Sequence, residues 1–171
     1  MPLVKHGKIT RDAFVHVDDA AEIPGDGPVL ISAARLLADA GILSRRLGKL
    51  GVIWPNNRDV DELVPYLGRL AMVALVFPTF RDGRAYSQAR LLRERHDYRG
   101  ELRATGQVLR DQFVFMLRAG FDALEVKKDG DAEAFASTIK RYSVFYQPTG
   151  DGRATALHRR MQQRHSESAS Q

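Results

Sequence analysis

The stretch LRATGQVLRDQFVFMLRAGFDALEV, residues 102–126, decides the fold. It opens on the end of a β-prone segment, Gly100–Ala104, and breaks at Thr105–Gly106. From Gln107 to Ala119, Val108, Leu109, Phe113, Met116 and Leu117 recur at helical spacing and make one apolar stripe. Phe121–Val126 then returns to strand composition. A strand, a short loop, a helix and a second strand in so few residues predict parallel neighbours. Parallel strands need a crossover, and the crossover is a right-handed helix.

The same rhythm extends outward in both directions. VKHGKIT (residues 4–10) predicts a hairpin turning at Gly7, followed by a strand at Phe14–Val17 and a loop over Ile23–Pro28. Val29–Ile31 is a brief apolar strand, and Ser32 is placed to cap a helix that runs through Asp39 and is ended by Gly41. Val52–Trp54 is a strand stopped by Pro55, and Asp59 or Asp61 opens a helix to about Leu67. Leu70–Phe77 is an unbroken apolar strand, as expected where both faces are covered. Helix Ala85–His96 precedes the deciding stretch; helix Asp131–Arg141 and strand Val144–Tyr146 follow it.

These units predict an α/β fold with a parallel sheet of about six strands and an N-terminal β-hairpin. The cadence is similar to that of TIM-like barrels, so an incomplete TIM-barrel-like form is expected, with an open doubly wound sheet as the alternative. Both place function in the loops after the strand carboxyl ends. Residues 1–147 read as a single domain and residues 148–171 as a polar, basic tail. The tail is expected to be flexible, with room for a short helix at 154–163.

Cysteine is absent, which excludes disulfides, thiolate nucleophiles and Cys-ligated metal or iron–sulfur sites. The N-terminus resembles neither a signal nor a transit peptide, and no apolar run reaches membrane-spanning length, so a cytoplasmic location is expected. The formal charge is +5, and arginine outnumbers lysine by 20 to 6. Between Arg81 and Arg118, nine arginines face five acids, so the basic excess sits mainly inside the folded part. Arginine is the side chain suited to forked recognition of carboxylate, phosphate or sulfate-like oxygens.

At the functional edge lie Ser32, Pro55–Arg58, the turn PTFRDGRAYS (78–87), Thr105–Gln107 and Lys127–Gly130. In the 78–87 turn, Arg81 and Arg84 flank Asp82–Gly83 just before a helix, where unpaired amides favour an anion. Tyr86 and Ser87 add hydroxyl donors. Gly106 and Arg110 repeat the theme in the next loop, and Arg103 stands near the carboxyl end of its strand. The anion-binding set is therefore Arg81, Arg84, Tyr86, Ser87, Arg103, Gly106 and Arg110, with Asp82 and Asp111 as acid–base candidates. Each has a plainer reading. Asp82 caps the helix and pairs with Arg84, Gly106 allows a tight turn, and Arg103 pairs within the sheet with Glu101. The five histidines show no metal-ligand spacing, and no GxGxxG, Walker loop or GxSxG elbow occurs. No metal site and no cofactor fingerprint are expected.

FPTFRDGRAYSQARLLRERHDYRGELRATGQVLRDQ (77–112), followed by Gly120–Asp122, resembles the bacterial domain-of-unknown-function family nine-thirty-four. The likeness runs from about Val29 to Gln147. The family pattern commonly has lysine where Thr79 stands and aspartate where Gln107 stands, so neither role carries over. The resemblance implies a setting beside assimilatory sulfite or nitrite reductase, and some members bear an oxidoreductase label. The expected function is an accessory protein of sulfite reduction that binds a small oxyanion, or a sulfite reductase component, through its Arg-rich rim. Alternatives are an oxidoreductase working on a small anion with a diffusible cofactor and, third, nucleic-acid binding. Open strand edges predict a homodimer.

Overall fold

The structure is a computed structural model that describes residues 2–5, 7–128, 130–141, 145, 149 and 155–168. Its eight strands are β1 (Leu3–Lys5), β2 (Lys8–Thr10), β3 (Val15–His16), β4 (Val29–Ser32), β5 (Leu50–Trp54), β6 (Leu70–Phe77), β7 (Glu101–Gly106) and β8 (Ala123–Glu125). They form one sheet in the order β2-β1-β8-β7-β6-β5-β4-β3. From β3 to β8 the strands are parallel and sequential, as a singly wound sheet requires. A doubly wound sheet would reverse its order midway; this one does not.

The hairpin is not an appendage. It joins the same sheet, with β1 running antiparallel to β8 and Val4 opposite Leu124. It covers an edge that would otherwise leave the short β8 unpaired.

The linker between β2 and β3 forces the sheet to curl. These strands are the two outer edges, yet only residues 11–14 join them. Laid flat, seven strand spacings would separate the edges by about 34 Å. Five steps of extended chain reach about 18 Å at most. The sheet therefore bends into a half-barrel with residues 11–14 strapped across its mouth.

Right-handed crossovers in sequential order put the connections between β3 and β8 on the convex side. There Ile31, Val52, Trp54, Val73, Leu75, Phe77, Leu102 and Leu124 form the main core with Leu36, Leu63, Ala89, Leu92, Phe113 and Met116. The concave face holds a small apolar cluster of Leu30, Met72 and Ala74, covered by Phe14 of the strap and Ile53.

The helices follow the predicted pattern with local revisions. Ser32 caps α1 (Ala33–Ala38) by accepting from the Arg35 amide at 3.0 Å. Gly41 does not end that helix; a second short helix, α2 (Ala40–Leu43), starts after Asp39 and contains it. Asp59 caps a 3-10 segment, Val60–Tyr66, that contains Pro65, whose missing N–H disfavours an α-helical ladder. Helix α3 (Arg84–Arg90) widens into a π turn, Leu91–Arg95. The helix expected from Gln107 is shorter: a 3-10 turn (Arg110–Gln112) leads into α4 (Phe113–Ala119). Gly106 and the amide of Gln107, tied to the Phe77 carbonyl at 2.8 Å, hold that start in a loop.

Helix α5 is Gly130–Arg141 and α6 is Ala156–Ser168 within the predicted tail. The strand expected at Val144–Tyr146 lies outside the described residues except for Phe145, which forms a parallel bridge with Thr155. Among the described residues, no helix is long and apolar enough to cross a membrane.

Candidate functional site

Parallel strands bring Ser32, Trp54, Phe77, Gly106 and Glu125 to one edge, and the loops beyond them form a rim. In the turn after β6, the Asp82 amide donates to Thr79 O at 3.1 Å. Arg84 then folds back on Asp82, with Nε 3.0 Å and Nη2 2.6 Å from its two carboxylate oxygens. Asp82 also accepts from the Arg84 amide at 3.3 Å. The Arg84 guanidinium first, and the Asn56 amide beside it, hold the Asp82 carboxyl far below the usual carboxylate range. Arg81 differs: its guanidinium lies 5.4 Å from the centroid of the Phe80 ring, and it makes no ion pair among the described residues.

The neighbouring loop is stitched to this turn. Gln107 Oε1 accepts from the Phe80 amide at 3.3 Å, and Gln112 Nε2 donates to the Phe80 carbonyl at 2.9 Å. Gly106 has φ +93°, and a Cβ there would sit 2.4 Å from Phe77 O, so glycine is required by space and by backbone. Arg110 pairs with Asp131 in the first turn of α5. Tyr86 packs edge-on to Phe77 at 5.1 Å; burial, with the charge of Asp111 adding, pushes its phenol up to about 12. Arg81, Asp82, Arg84, Tyr86, Gly106, Arg110 and Asp111 thus share the rim. Ser87 lines a separate outer depression with Arg90, Leu91, Glu94 and Arg95.

Arg103 is elsewhere. In β7 it faces the opposite side from Leu102 and Ala104, into the concave surface, with 1% of its side chain exposed. Nη1 and Nη2 fork onto Asp12 of the strap at 2.6 and 3.0 Å. Nε donates to Glu101 Oε1 at 3.0 Å, and Glu125 Oε1 is 3.4 Å from Nη1. Lys5 pairs with Glu101, and the Thr105 hydroxyl donates to Glu125. The strand positions 101, 103 and 105 therefore make a polar row inside the half-barrel. Burial pulls Asp12 upward, but hydrogen bonds from Arg103 and the Phe14 amide, with the charges of Arg103 and Lys5, leave its carboxyl below its ordinary value. The pair Arg103–Glu101 matches the plainer expectation for these residues; the partners at 12 and 125 do not follow from local spacing.

Three buried polar residues lie next to the rim: Trp54 and Asn56, at or beside the expected functional edge, and Gln88, which sequence reasoning passed over. Trp54 is fully buried, so it ends a strand and packs under Arg58, whose guanidinium carbon is 5.3 Å from the ring centroid. Gln88 Nε2 donates to the carbonyls of Pro55 (3.1 Å) and Arg58 (2.8 Å), which fixes the loop after β5 to α3. Trp54 Nε1, Asn56 Nδ2 and Gln88 Oε1 are buried and have no hydrogen-bond partner among the described residues. Asn56 is thus near enough to lower Asp82, yet its amide nitrogen meets no hydrogen-bond geometry among the described residues. A glutamine among Ala85, Ala89 and Leu92 on the buried stripe of a helix was the available signal.

A family model described as bacterial protein of unknown function (DUF934) matches residues 51–157, from within β5 to the start of α6. The comparison with curated proteins finds no match.

Proposed function

This chain belongs to that family of bacterial proteins of unknown function, and on this premise we propose that it is an accessory protein that holds a small oxyanion, or an acidic face of a reductase, on its arginine rim. The observation that carries the reading is Arg81, a guanidinium at the rim with an aromatic ring beneath it and no carboxylate partner among the described residues. Arg84 and Arg110 stand on the same rim with 59% and 57% of their side chains exposed. Exposed ion pairs contribute little, so an incoming sulfite- or sulfate-like group can compete for these guanidiniums. Arg103 is left out of the proposed cradle because its donors already face three carboxylates. The sulfite or nitrite setting comes from the 77–112 motif and belongs to the proposal.

The test is titration of the isotopically labelled chain with sulfate and with sulfite, read at the Arg81 and Arg84 guanidinium NMR signals. Saturable shifts at both, lost in Arg81→Ala, are expected. Stationary signals end the oxyanion reading, and a low-salt pull-down with the reductase haemoprotein that recovers nothing ends the partner reading. The outer edges of β2 and β3 support a homodimer; a clean monomer in light scattering would remove it.

A further inference from the structure

Between the loop that leads into β4 and helix α2 lies a cleft of about 360 Å³. Its lining residues 23–26 precede β4 and 42–47 precede β5. The cleft therefore sits at the amino ends of these strands, and the arginine rim at the carboxyl ends. Ile23 and Pro24 line one wall, and Ile42 and Leu47 the other. Leu47 is 96% exposed and Ile42 74%, the two highest values for large apolar side chains among the described residues. Single exposed aliphatics are ordinary; two at the lip of one apolar cleft mark an interaction surface.

The floor of the cleft is fixed. Arg46 is buried, and its Nη2 donates to the carbonyls of Asp26 (3.0 Å) and Gly27 (2.6 Å). Its Nε donates to Pro24 O at 3.2 Å and its Nη1 to Lys49 O at 3.3 Å. One guanidinium, its donors used up by the fold, staples both walls, so a partner meets a shape already formed.

Two further charges border the cleft from opposite walls, Asp26 on the loop and Arg45 just after α2. Both residues are exposed, and neither side chain has a hydrogen-bond or ion-pair partner among the described residues. The patch thus carries a protruding aliphatic, a recess, a free anion and a free cation. These are the halves of two complementary contacts. A surface complementary to itself fits a twofold pair, in which one residue meets a second across the axis and the second meets the first.

We propose that two copies of this chain meet here, with Leu47 of each in the cleft of the other and Arg45 of each against Asp26 of the other. The inference rests on the homodimer reading above but moves the contact from the sheet edges to the strand amino ends, where pairing leaves both rims open. The patch is smaller than the roughly 20–30 residues a side of a standard interface, so the dimer is reversible.

Sedimentation velocity of the full chain over a concentration series should show a monomer–dimer equilibrium. Leu47→Gln should weaken it about tenfold with the melting temperature unchanged, since the side chain is exposed in the monomer. Arg45→Asp and Asp26→Arg should each weaken association about tenfold, and the double variant should recover it. The two single variants mixed in equal amounts should pair with each other, because one then carries two anions and the other two cations. Ile9→Lys and Val15→Lys, which charge the outer strands, should leave the dimer intact. A monomer at every concentration ends this inference and the homodimer reading together. A dimer that ignores the cleft variants, or that dissolves in the edge variants, ends this inference alone. Mixed single variants that stay monomeric overturn the twofold contact.

Discussion

On the rim, Arg84 reaches a carboxylate two residues away and leaves 59% of its side chain in solvent; inside the half-barrel, Arg103 reaches carboxylates at positions 12, 101 and 125 and leaves 1%. The first pair closes a turn that the backbone has already made. The second ties the N-terminal strap, β7 and β8 into one unit around a guanidinium that is itself shielded from water. One guanidinium is therefore exchangeable and the other is structural. Binding and stability should separate cleanly between the two regions.

The sharpest attempt to break this contrast is Arg103→Ala. It leaves three carboxylates facing one another with only Lys5 nearby, and removal of one partner from a buried network costs about 3–5 kcal/mol. Urea denaturation measures it, and a loss under 1 kcal/mol would mean the interior is wet and the contrast false. Arg103→Lys should recover only part, because an ammonium cannot fork onto Asp12 and reach Glu101 together.

Asp12→Asn comes next, at about 1–2 kcal/mol near neutral pH, reduced from the usual value for a charged hydrogen bond because its side chain is 37% exposed. Its folded pKa lies below the unfolded one, so its contribution is complete above about pH 4 and is lost as the pH falls through the lowered value. Stability followed from pH 6 downward should drop less steeply in Asp12→Asn; parallel curves would show that the strap is not held by charge.

Arg110→Ala is intermediate, since its partner Asp131 is largely buried while Arg110 is exposed; about 1 kcal/mol is expected by thermal unfolding. Arg84→Ala should leave the melting temperature where it is while weakening sulfate binding. A large fall in melting temperature there would erase the distinction between rim and interior.

Much of the architecture was legible because it is written locally. Leu70–Phe77 is a strand by composition, Ser32 is a cap by position, and sequential strand–helix units imply a parallel sheet. The rim was legible for the same reason, as Asp82 and Arg84 lie in one turn. What escaped is what joins distant residues. Nothing near Asp12 announces that it meets Arg103, and nothing in VKHGKIT says that its first strand will pair with Leu124. Burial escaped as well: Glu101, Arg103 and Thr105 alternate as a solvent-facing row would, and only the strap across the mouth turns that row inward. The late start of the helix expected from Gln107 was hidden for a steric reason, the approach of Gly106 to Phe77 O.

The four-residue bridge between the outermost strands has a bearing on how the chain acquires its shape. The hairpin must wait for β8 before it can pair, and the bridge cannot cross until β4 to β7 have bent beneath it. During synthesis the hairpin leaves the ribosome before β8, and is thus among the last segments to find its place. Such dependence on distant partners slows folding and leaves early-made segments exposed in the interim. For this protein, loss of the first sixteen residues would be less a trimming than a failure of the final closing step.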